Sequence, residues 1–159
     1  MELSARAEIE VARPCEVSFD FAAANESFAR VLLPMGPLPG ITGAEWMDGS
    51  VEAKPGARRL IHLSDGTSIG EEVLAYDRPA RHRYRWLNPP AAPLSWLVRS
   101  GEGDWSFTPI GRGTRIVWSY RFGLTSALAA PLAWPVVWLF QRWMQRGLTR
   151  IRDTLEAQR

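Results

Sequence analysis

The stretch that most constrains the fold runs from Pro55 to Phe122, where β-strand patterns follow one another with very few breaks. A long helical pattern, apolar at first and basic later, follows this stretch to the C-terminus. The combination predicts an antiparallel sheet with one long helix laid across it, which is an α+β architecture. Such a sheet and helix tend to enclose an apolar space, so the pattern indicates that something is held inside.

The composition predicts one globular domain over residues 1–159, since a chain of this length can bury a core without disulfides. Eight tryptophans are many for this length, and their large apolar bodies suit a core, a cavity wall or an interface. The net charge is only +2, and the arginines are scattered among acids, so we expect no nucleic-acid partner. Cys15 is the single cysteine, and His62 and His82 lie far apart in sequence. We therefore expect no internal disulfide, no metal site and no cofactor.

The two ends of the chain indicate where in the cell the protein would be found and whether it would contact a membrane. The N-terminus has no apolar signal region, which favours a cytoplasmic protein. Residues 123–140 carry no charge, but Pro131 and Pro135 interrupt them and an amphipathic pattern follows at once. We therefore expect no membrane-spanning helix, while shallow membrane contact stays open.

The first third of the chain predicts one strand, two short helices and a loop. Ala5–Val11 alternates between apolar and charged residues, which is typical of a half-buried strand. Pro14 suits the start of a short helix, with an inner face of Val17, Phe21 and Ala24, and a second short helix covers Glu26–Leu33. Prolines and glycines punctuate Pro34–Gly43, which is either a loop that gates a cavity or a plain connector.

The middle of the chain predicts six strands. Asp65-Gly66 is a tight-turn signal between two of them, and Gly101 and Gly103 indicate a bulge in a later one. The predicted strands are Ala44–Asp48, Ala57–Leu63, Ser68–Tyr76, Arg81–Leu87, Leu94–Pro109 and Thr114–Phe122. Alternation in two of these strands turns aromatic side chains inward and arginines outward. The candidate lining residues of a cavity are His82, Tyr84, Trp86, Trp118 and Tyr120.

The C-terminal helix carries one apolar stripe, which we expect to face the sheet. The helix starts near Ala133 or kinks at Pro135. Its stripe consists of Leu132, Val136, Phe140, Met144, Leu148, Ile151 and Leu155, with Arg142, Arg146 and Arg150 in a row beside it. Trp134 and Trp138 lie off the stripe and predict a homodimer or a shallow membrane contact. Alternatively, short N-terminal segments fold over these two tryptophans.

Several local motifs resemble one known family. Pro55-Gly56-Ala57-Arg58-Arg59 leads to Asp65-Gly66, and then follow Glu72-Val73-Leu74-Ala75-Tyr76-Asp77, Tyr84 and Gly113-Thr114-Arg115-Ile116-Val117-Trp118. The pattern resembles the START/Bet v 1-like superfamily, also called SRPBCC, in its bacterial polyketide cyclase/dehydrase-type branch. The resemblance covers almost the whole chain. It implies the helix-grip fold: a curved antiparallel β-sheet wrapped around a long C-terminal α-helix, with two short helices after the first strand. This fold hosts lipid carriers, hormone receptors and cyclases, so it does not decide the function.

One polar pair stands out on the predicted sheet. Arg59 and Glu72 lie on neighbouring strands across the Asp65-Gly66 hairpin, and if both face inward each needs the other, because a lone buried charge is costly. Such a pair could orient the polar end of a ligand or hold a water molecule for proton transfer. The alternative is an exposed salt bridge of little energetic value.

These observations favour binding of a hydrophobic or aromatic small molecule, lipid- or polyketide-like, between sheet and helix. Arg59, Glu72 and the five aromatic lining residues would form the binding site. A cyclase- or dehydratase-like enzyme is the alternative, with acid–base candidates Glu72, His62, His82 and Tyr84. A third possibility is an interaction module that uses Trp134 and Trp138. The sequence has no nucleophile elbow, phosphate loop or metal triad.

Overall fold

A computed structural model describes residues 1–158 of the chain. One curved antiparallel sheet of seven strands is covered by one long helix, with two short helices after the first strand, as predicted. The strands are β1 (Glu2–Val11), β2 (Ile41–Met47), β3 (Arg58–Leu63), β4 (Ser68–Asp77), β5 (Arg81–Trp86), β6 (Val98–Ile110) and β7 (Gly113–Leu124). The helices are α1 (Cys15–Ala23), α2 (Asn25–Val31) and α3 (Ala130–Ala157), with 3₁₀ helices at Leu94–Trp96 and Ala127–Ala129.

The strand order is β1-β7-β6-β5-β4-β3-β2, so β1 and β2 are the two edges of the sheet. Strand β1 returns to pair with β7, while β2 to β7 form a meander in chain order. Helix α3 packs on the inner face of the sheet, mainly over β1. Two glutamine side chains on α3 also hydrogen-bond to the β1 backbone, Gln141 to Arg6 N and Gln145 to Glu8 O.

The β3–β4 hairpin has a three-residue loop, and this loop sets the register of the site. The Leu63 N–H donates to the Thr67 carbonyl at 2.9 Å, so Ser64, Asp65 and Gly66 form the loop. Gly66 has φ +88°, a conformation that favours glycine. A symmetric turn centred between Asp65 and Gly66 would instead shift the pairing of β3 with β4 by one residue. Since successive side chains alternate between faces, this single residue decides which side chains point inward.

Helix α1 presents a different face to the core from the predicted one. Its buried residues are Cys15, Ser18, Phe19, Ala22 and Ala23, and Phe19 is fully buried against Tyr76 and Phe107. Val17 and Phe21 are only partly buried, and Ala24 follows the end of the helix. The predicted inner face was therefore wrong, because the helix is rotated so that Phe19, with small residues on either side, packs on the sheet.

The inner face of α3 matches the predicted stripe except at its first residue, Leu132, and Val136 and Phe140 line the cavity. Met144, Leu148, Ile151 and Leu155 are buried, but Leu132 is 67% exposed. The helix begins at Ala130, so Leu132 lies in its first turn, beyond the cover of the sheet, and Ala133 and Val137 are buried there instead. Pro131 lies in that first turn, whereas Pro135 lies inside the helix. Arg13 binds the other end of α3 by donating to the carbonyls of Leu155 and Gln158.

Two further predictions needed correction. The strand predicted from Leu94 begins only at Val98, and its register shift lies between Val98 and Ser100 rather than at Gly101 and Gly103. The predicted loop Pro34–Gly43 ends earlier, because β2 already begins at Ile41. Within residues 1–158, no helix is both long enough and apolar enough to cross a membrane.

Candidate functional site

A cavity of about 160 Å³ lies between the inner face of the sheet and α3. Strands β2 to β7 form one wall, Phe28 of α2 closes one side, and α3 forms the opposite wall with Val136, Val137, Phe140 and Trp143. Six of the seven predicted site residues lie on this wall: Arg59, His82, Tyr84, Trp86, Trp118 and Tyr120. Their role in binding stays a prediction, but the fold brings them together.

The sheet wall is a continuous set of aromatic contacts. Tyr84 meets Tyr120 with ring centroids 6.0 Å apart, and Tyr120 contacts Trp86 at 5.9 Å. On the helix side, Phe140 packs edge-on against Tyr120 at 5.1 Å. Trp118 links the sheet to Trp143 of α3 at 5.9 Å. These contacts hold the rings in fixed orientations and leave the cavity between them.

Two strand glycines make room for the aromatic wall. A Cβ at Gly103 would lie 2.4 Å from the Tyr84 ring, and one at Gly101 would lie 2.7 Å from the Trp86 ring. Both distances are far inside contact range, so any side chain at either position would displace an aromatic residue. Gly101 and Gly103 pair regularly within β6 and are not the site of a bulge.

The predicted pair of Arg59 and Glu72 was wrong: Arg59 pairs with Glu71. The Arg59 Nε donates to Glu71 Oε1 at 3.0 Å, and both side chains line the cavity with only 1% and 8% exposure. The three-residue loop makes Glu71 the cross-strand partner of Arg59. The sequence signal for Glu71 is Gly66, because a three-residue hairpin loop that ends on a left-handed glycine pairs Arg59 with Glu71.

Glu72 lies on the outer face of the sheet and does not reach the cavity. Its carboxylate accepts from Arg58 Nε at 3.2 Å and from Arg85 at 2.9 Å. These two hydrogen bonds hold its pKa below the usual value, with that from Arg85 contributing most. Glu72 therefore belongs to a surface cluster of charges outside the cavity.

The Arg59 guanidinium is enclosed by further partners. It donates to Asn25 Oδ1 at 3.3 Å, and its central carbon lies 4.9 Å from the Phe28 ring centroid and 5.3 Å from that of Tyr84. Cation–π contacts of this kind strengthen when water is excluded. Burial raises the pKa of Glu71, and the charge of Arg59 opposes that shift.

The tyrosine hydroxyls on the wall are held by indole groups. Trp105 Nε1 donates to the Tyr84 hydroxyl at 3.4 Å, and Trp86 Nε1 donates to the Tyr120 hydroxyl at 3.1 Å. The two hydroxyls also interact with each other, with Tyr120 as the donor, so the Tyr84 hydroxyl is the one whose hydrogen stays available to a ligand. Burial raises the pKa of Tyr84 to about 12 and raises that of Tyr120 well above its usual value, so both stay neutral phenols.

Two polar atoms on the cavity-lining side chains have no hydrogen-bond partner within the described chain: His82 Nε2 and Trp118 Nε1. Both residues are 2% exposed. Burial, with a smaller contribution from the charge of Arg59, lowers the pKa of His82 to about 3, so the imidazole is neutral near pH 7. Unsatisfied buried polar groups are costly, and they are common where a ligand completes the hydrogen bonds.

Further apolar residues line the cavity from two connecting segments and from α3. Leu38 and Pro39 come from the loop before β2, Pro90 and Leu94 from the connection before β6, and Val136 from α3. Since Leu38 and Pro39 line the cavity, the loop is more than a distant connector.

The remaining candidates lie outside this cavity. His62 is on the outer face, where Nε2 lies 3.1 Å from Glu45 Oε1 and Nδ1 lies 3.1 Å from Ser68 Oγ. Cys15 is buried against the Thr114 hydroxyl at 3.4 Å. Among residues 1–158, no group of three or more His, Cys, Asp and Glu side chains could hold a metal ion. The acid–base groups at the cavity are thus Glu71, His82, Tyr84 and Tyr120.

Solved structures share this architecture along the full chain. The chain is 14% identical to Ara h 8.0201, with a TM-score of 0.74 and 99% of both chains covered. Norcoclaurine synthase from Thalictrum flavum, solved with dopamine and hydroxybenzaldehyde, is 12% identical with a TM-score of 0.73, over 100% of this chain and 89% of that one. Protein TTHA0849 from Thermus thermophilus is 23% identical with a TM-score of 0.67, over 98% of each chain. At these identities, the similarities show a Bet v 1-like fold.

Sequence comparison gives the family itself. No curated protein matches the sequence. Residues 2–156 match the family described as polyketide cyclase / dehydrase and lipid transport. This match spans the whole sheet and α3 up to its last turn, including every residue that lines the cavity. The chain therefore belongs to the polyketide cyclase / dehydrase and lipid transport family, within the SRPBCC superfamily.

Proposed function

We propose that this protein binds a hydrophobic or aromatic small molecule in the cavity between the sheet and α3. The observation that carries the proposal is the aromatic wall with unpartnered polar atoms on Trp118 and His82. An apolar pocket with a few polar groups is typical of small-molecule sites. The family description and the bound aromatic compounds of norcoclaurine synthase are consistent with such a ligand.

The size of the cavity determines which small molecule is the best first probe for binding. An apolar protein cavity of about 150 Å³ is known to accept benzene. The cavity here, about 160 Å³, is therefore suited to a single aromatic ring with a short substituent, and a longer ligand would extend through the opening. Acetophenone, which is one ring with one carbonyl acceptor, matches both the size and the donors on the wall.

Binding can be tested by NMR titration with acetophenone, together with native mass spectrometry of protein purified from its own source. Val137→Phe should weaken acetophenone binding by at least about tenfold, because the larger side chain fills the cavity from α3. Val51→Phe is the matched control, since Val51 is 79% exposed and does not line the cavity. Saturable binding that Val137→Phe leaves unchanged would place the ligand elsewhere. No binding of any aromatic probe would contradict the proposal.

A cyclase- or dehydratase-like reaction is the second candidate function. It is favoured by Glu71, whose pKa burial raises, and by neutral His82, since both line the cavity and both can exchange a proton with a bound molecule. Under this candidate, Glu71→Gln would retain binding of an aldol-prone diketone but abolish its cyclisation. Equal turnover by wild type and Glu71→Gln would remove Glu71 from that role.

We also propose that one end of the molecule contacts an anionic lipid bilayer. Six of the eight large hydrophobic residues that are exposed in the described chain belong to this apolar end: Met1, Trp96, Leu128, Leu132, Trp134 and Trp138. Hydrogen bonds tie these segments together, because Leu124 N donates to Met1 O and Thr125 donates to the carbonyls of Trp96 and Leu97. A clustered apolar surface of this kind is typical of a contact site.

The charge of the adjoining surface favours a bilayer over a second copy of the chain. Residues 105–152 contain no Asp or Glu, and Arg142 lies over the Trp138 ring at 4.9 Å. Within residues 1–158, neither Arg142 nor Arg146 has an acidic partner at salt-bridge distance. Arg150 differs, because it donates to the Val31 carbonyl. Tryptophan beside unpaired arginine suits the headgroup region of anionic lipids.

The apolar end also continues the wall of the cavity. Leu94 lines the cavity and Trp96 follows on the same 3₁₀ helix, while Val136 lines it one helical turn after Leu132. A molecule leaving a bilayer at this end would therefore meet apolar side chains without a break.

Co-sedimentation with vesicles tests this contact. Wild type should bind phosphatidylserine-containing vesicles more than pure phosphatidylcholine vesicles, and Trp134→Ser with Trp138→Ser should abolish most binding. Val51→Ser is the control, because Val51 is an apolar residue elsewhere on the surface that is even more exposed than either tryptophan. Wild type that ignores anionic vesicles would contradict the proposal. A dimer in size-exclusion chromatography that the double variant dissociates would assign the surface to a second copy instead.

A further inference from the structure

The cavity carries no net charge, although it contains two ionisable groups of opposite sign. Among residues 1–158, Arg59 and Glu71 are the only Arg, Lys, Asp or Glu residues that line it, and they pair at 3.0 Å. Both side chains are almost completely buried. Opposite charges in contact in a medium of low dielectric constant largely cancel at the distance of a bound molecule.

The charge of Arg59 is already compensated, although its guanidinium has more N–H donors than Glu71 and Asn25 use. Its guanidinium already meets Glu71, Asn25, and the rings of Phe28 and Tyr84. A ligand carboxylate would have to approach Arg59 beside the carboxylate of Glu71. Two like charges at such a site repel one another, and the cost grows as water is excluded.

The other polar groups on the wall are uncharged. Two of them, on Trp118 and Tyr84, have a hydrogen that they can donate to a ligand. The Trp118 indole N–H has no partner in the described chain, and the Tyr84 hydroxyl accepts from Trp105 and from Tyr120 and can donate its own hydrogen. A bound molecule would best satisfy these groups with an uncharged oxygen that accepts hydrogen bonds. Carbonyl, ether and phenol oxygens all belong to this class.

We infer that the cavity selects neutral aromatic ligands with a hydrogen-bond acceptor, and that Glu71 is the residue that excludes carboxylates. The inference rests on the proposed binding function and names the ligand class for that same site. Glu71 acts by cancelling the charge of Arg59, and it touches the ligand only if the ligand reaches that end of the cavity.

A matched series of single-ring probes tests the inference by NMR titration. Acetophenone supplies a neutral acceptor, benzoate supplies a carboxylate of nearly the same shape, and ethylbenzene supplies neither. Wild type should bind acetophenone at least about tenfold more tightly than benzoate near pH 7. It should also bind acetophenone more tightly than ethylbenzene, since only the carbonyl satisfies the buried donors.

Glu71→Gln should reverse the preference. The variant keeps the size of the side chain and leaves the positive charge of Arg59 uncompensated, so benzoate affinity should rise by about tenfold or more. Acetophenone affinity should change much less. Glu72→Gln is the control, because it alters the next residue on the outer face and should leave every affinity unchanged.

The outcomes separate the inference from the function on which it rests. If none of the three probes binds, the binding function itself fails. If benzoate binds wild type as tightly as acetophenone, or if Glu71→Gln leaves their ratio unchanged, the selectivity inference fails while binding stands.

Wild type alone provides a second test if Glu71→Gln does not fold. If the cavity accepts only protonated, uncharged benzoic acid, the apparent affinity for benzoate should rise about tenfold when the pH falls from about 7 to about 6. The reason is that the uncharged fraction rises by the same factor. His82 stays neutral over this range because its pKa is about 3. A benzoate affinity that does not change with pH would overturn the inference.

Discussion

The two faces of the sheet carry charge in opposite ways. On the outer face, arginines of β3, β5 and β7 alternate with carboxylates of β4 and β6. Glu72 lies between Arg58 and Arg85, and Glu102 lies between Arg83 and Arg121. Each of these two carboxylates has two arginine partners and access to water. Loss of one partner therefore leaves the other, and water, to satisfy the charge.

On the inner face, Arg59 and Glu71 form a single ion pair among aromatic rings. Neither side chain has free access to water, so each depends on the other. Glu71 and Glu72 are adjacent in sequence and differ only in the face to which alternation assigns them. The comparison shows that the role of a carboxylate in this sheet is set by strand register rather than by its neighbours in sequence.

The largest expected effect comes from breaking the inner pair. Arg59→Ala leaves the Glu71 carboxylate buried without its partner, and we expect a loss of about 3–5 kcal/mol in the free energy of unfolding. Arg85→Ala on the outer face should change it little, because Glu72 keeps Arg58 and water. Urea denaturation of the two variants measures both values. Equal losses would show that the two faces do not differ as described.

A second expectation concerns the pH dependence of stability through His82. Its folded pKa of about 3 lies below the unfolded value of 6.5, so only the unfolded chain takes up this proton as the pH falls through that window. Stability should therefore fall on acidification, by up to about 3 kcal/mol from His82 between pH 6.5 and about pH 4.

His82→Gln isolates this contribution, because Glu71, whose pKa is raised, acts in the opposite direction over part of the same range. The variant should lose less stability than wild type on acidification, measured by urea denaturation across the window. His62→Gln, on the outer face, controls for removal of a histidine. Parallel wild-type and His82→Gln profiles would mean that the His82 imidazole becomes protonated in the folded state.

The smallest of the three effects tests the glycines behind the aromatic wall. Gly103→Ala forces a Cβ to within 2.4 Å of the Tyr84 ring, and we expect a loss of about 1–3 kcal/mol as the ring is displaced. Gly43→Ala is the matched control in β2, where no atom lies within 4 Å of the added carbon. Thermal unfolding distinguishes the two variants. A neutral Gly103→Ala would show that Tyr84 is not held in place.

The fold was predictable from the sequence because its signals are local and repeated. Alternation along β1, β5 and β7 and the spacing of apolar residues in the second half of α3 each indicate one element with one buried face. Inward-facing aromatics such as Tyr84 and Trp118 follow directly from that alternation. The order of the elements and the local motifs then indicated the family.

The remaining features depend on tertiary contacts that no local pattern records. The partner of Arg59 depends on a one-residue difference in loop length, which moves Glu71 inward and Glu72 outward. Leu132 continues the apolar spacing of α3, but the sheet does not extend far enough to cover it. The role of Gly101 and Gly103 also depends on tertiary contacts, because these glycines accommodate aromatic rings from a neighbouring strand.

The central claim is that the cavity between the sheet and α3 binds an aromatic ligand, and the indole N–H signals of the eight tryptophans test it most directly. In a ¹⁵N-labelled sample, acetophenone should shift the signals of Trp118 and Trp86, which line the cavity. The signals of Trp96 and Trp134, exposed by 73% and 62%, should stay in place. Shifts confined to the exposed tryptophans, or no saturable shift at Trp118, would contradict the account.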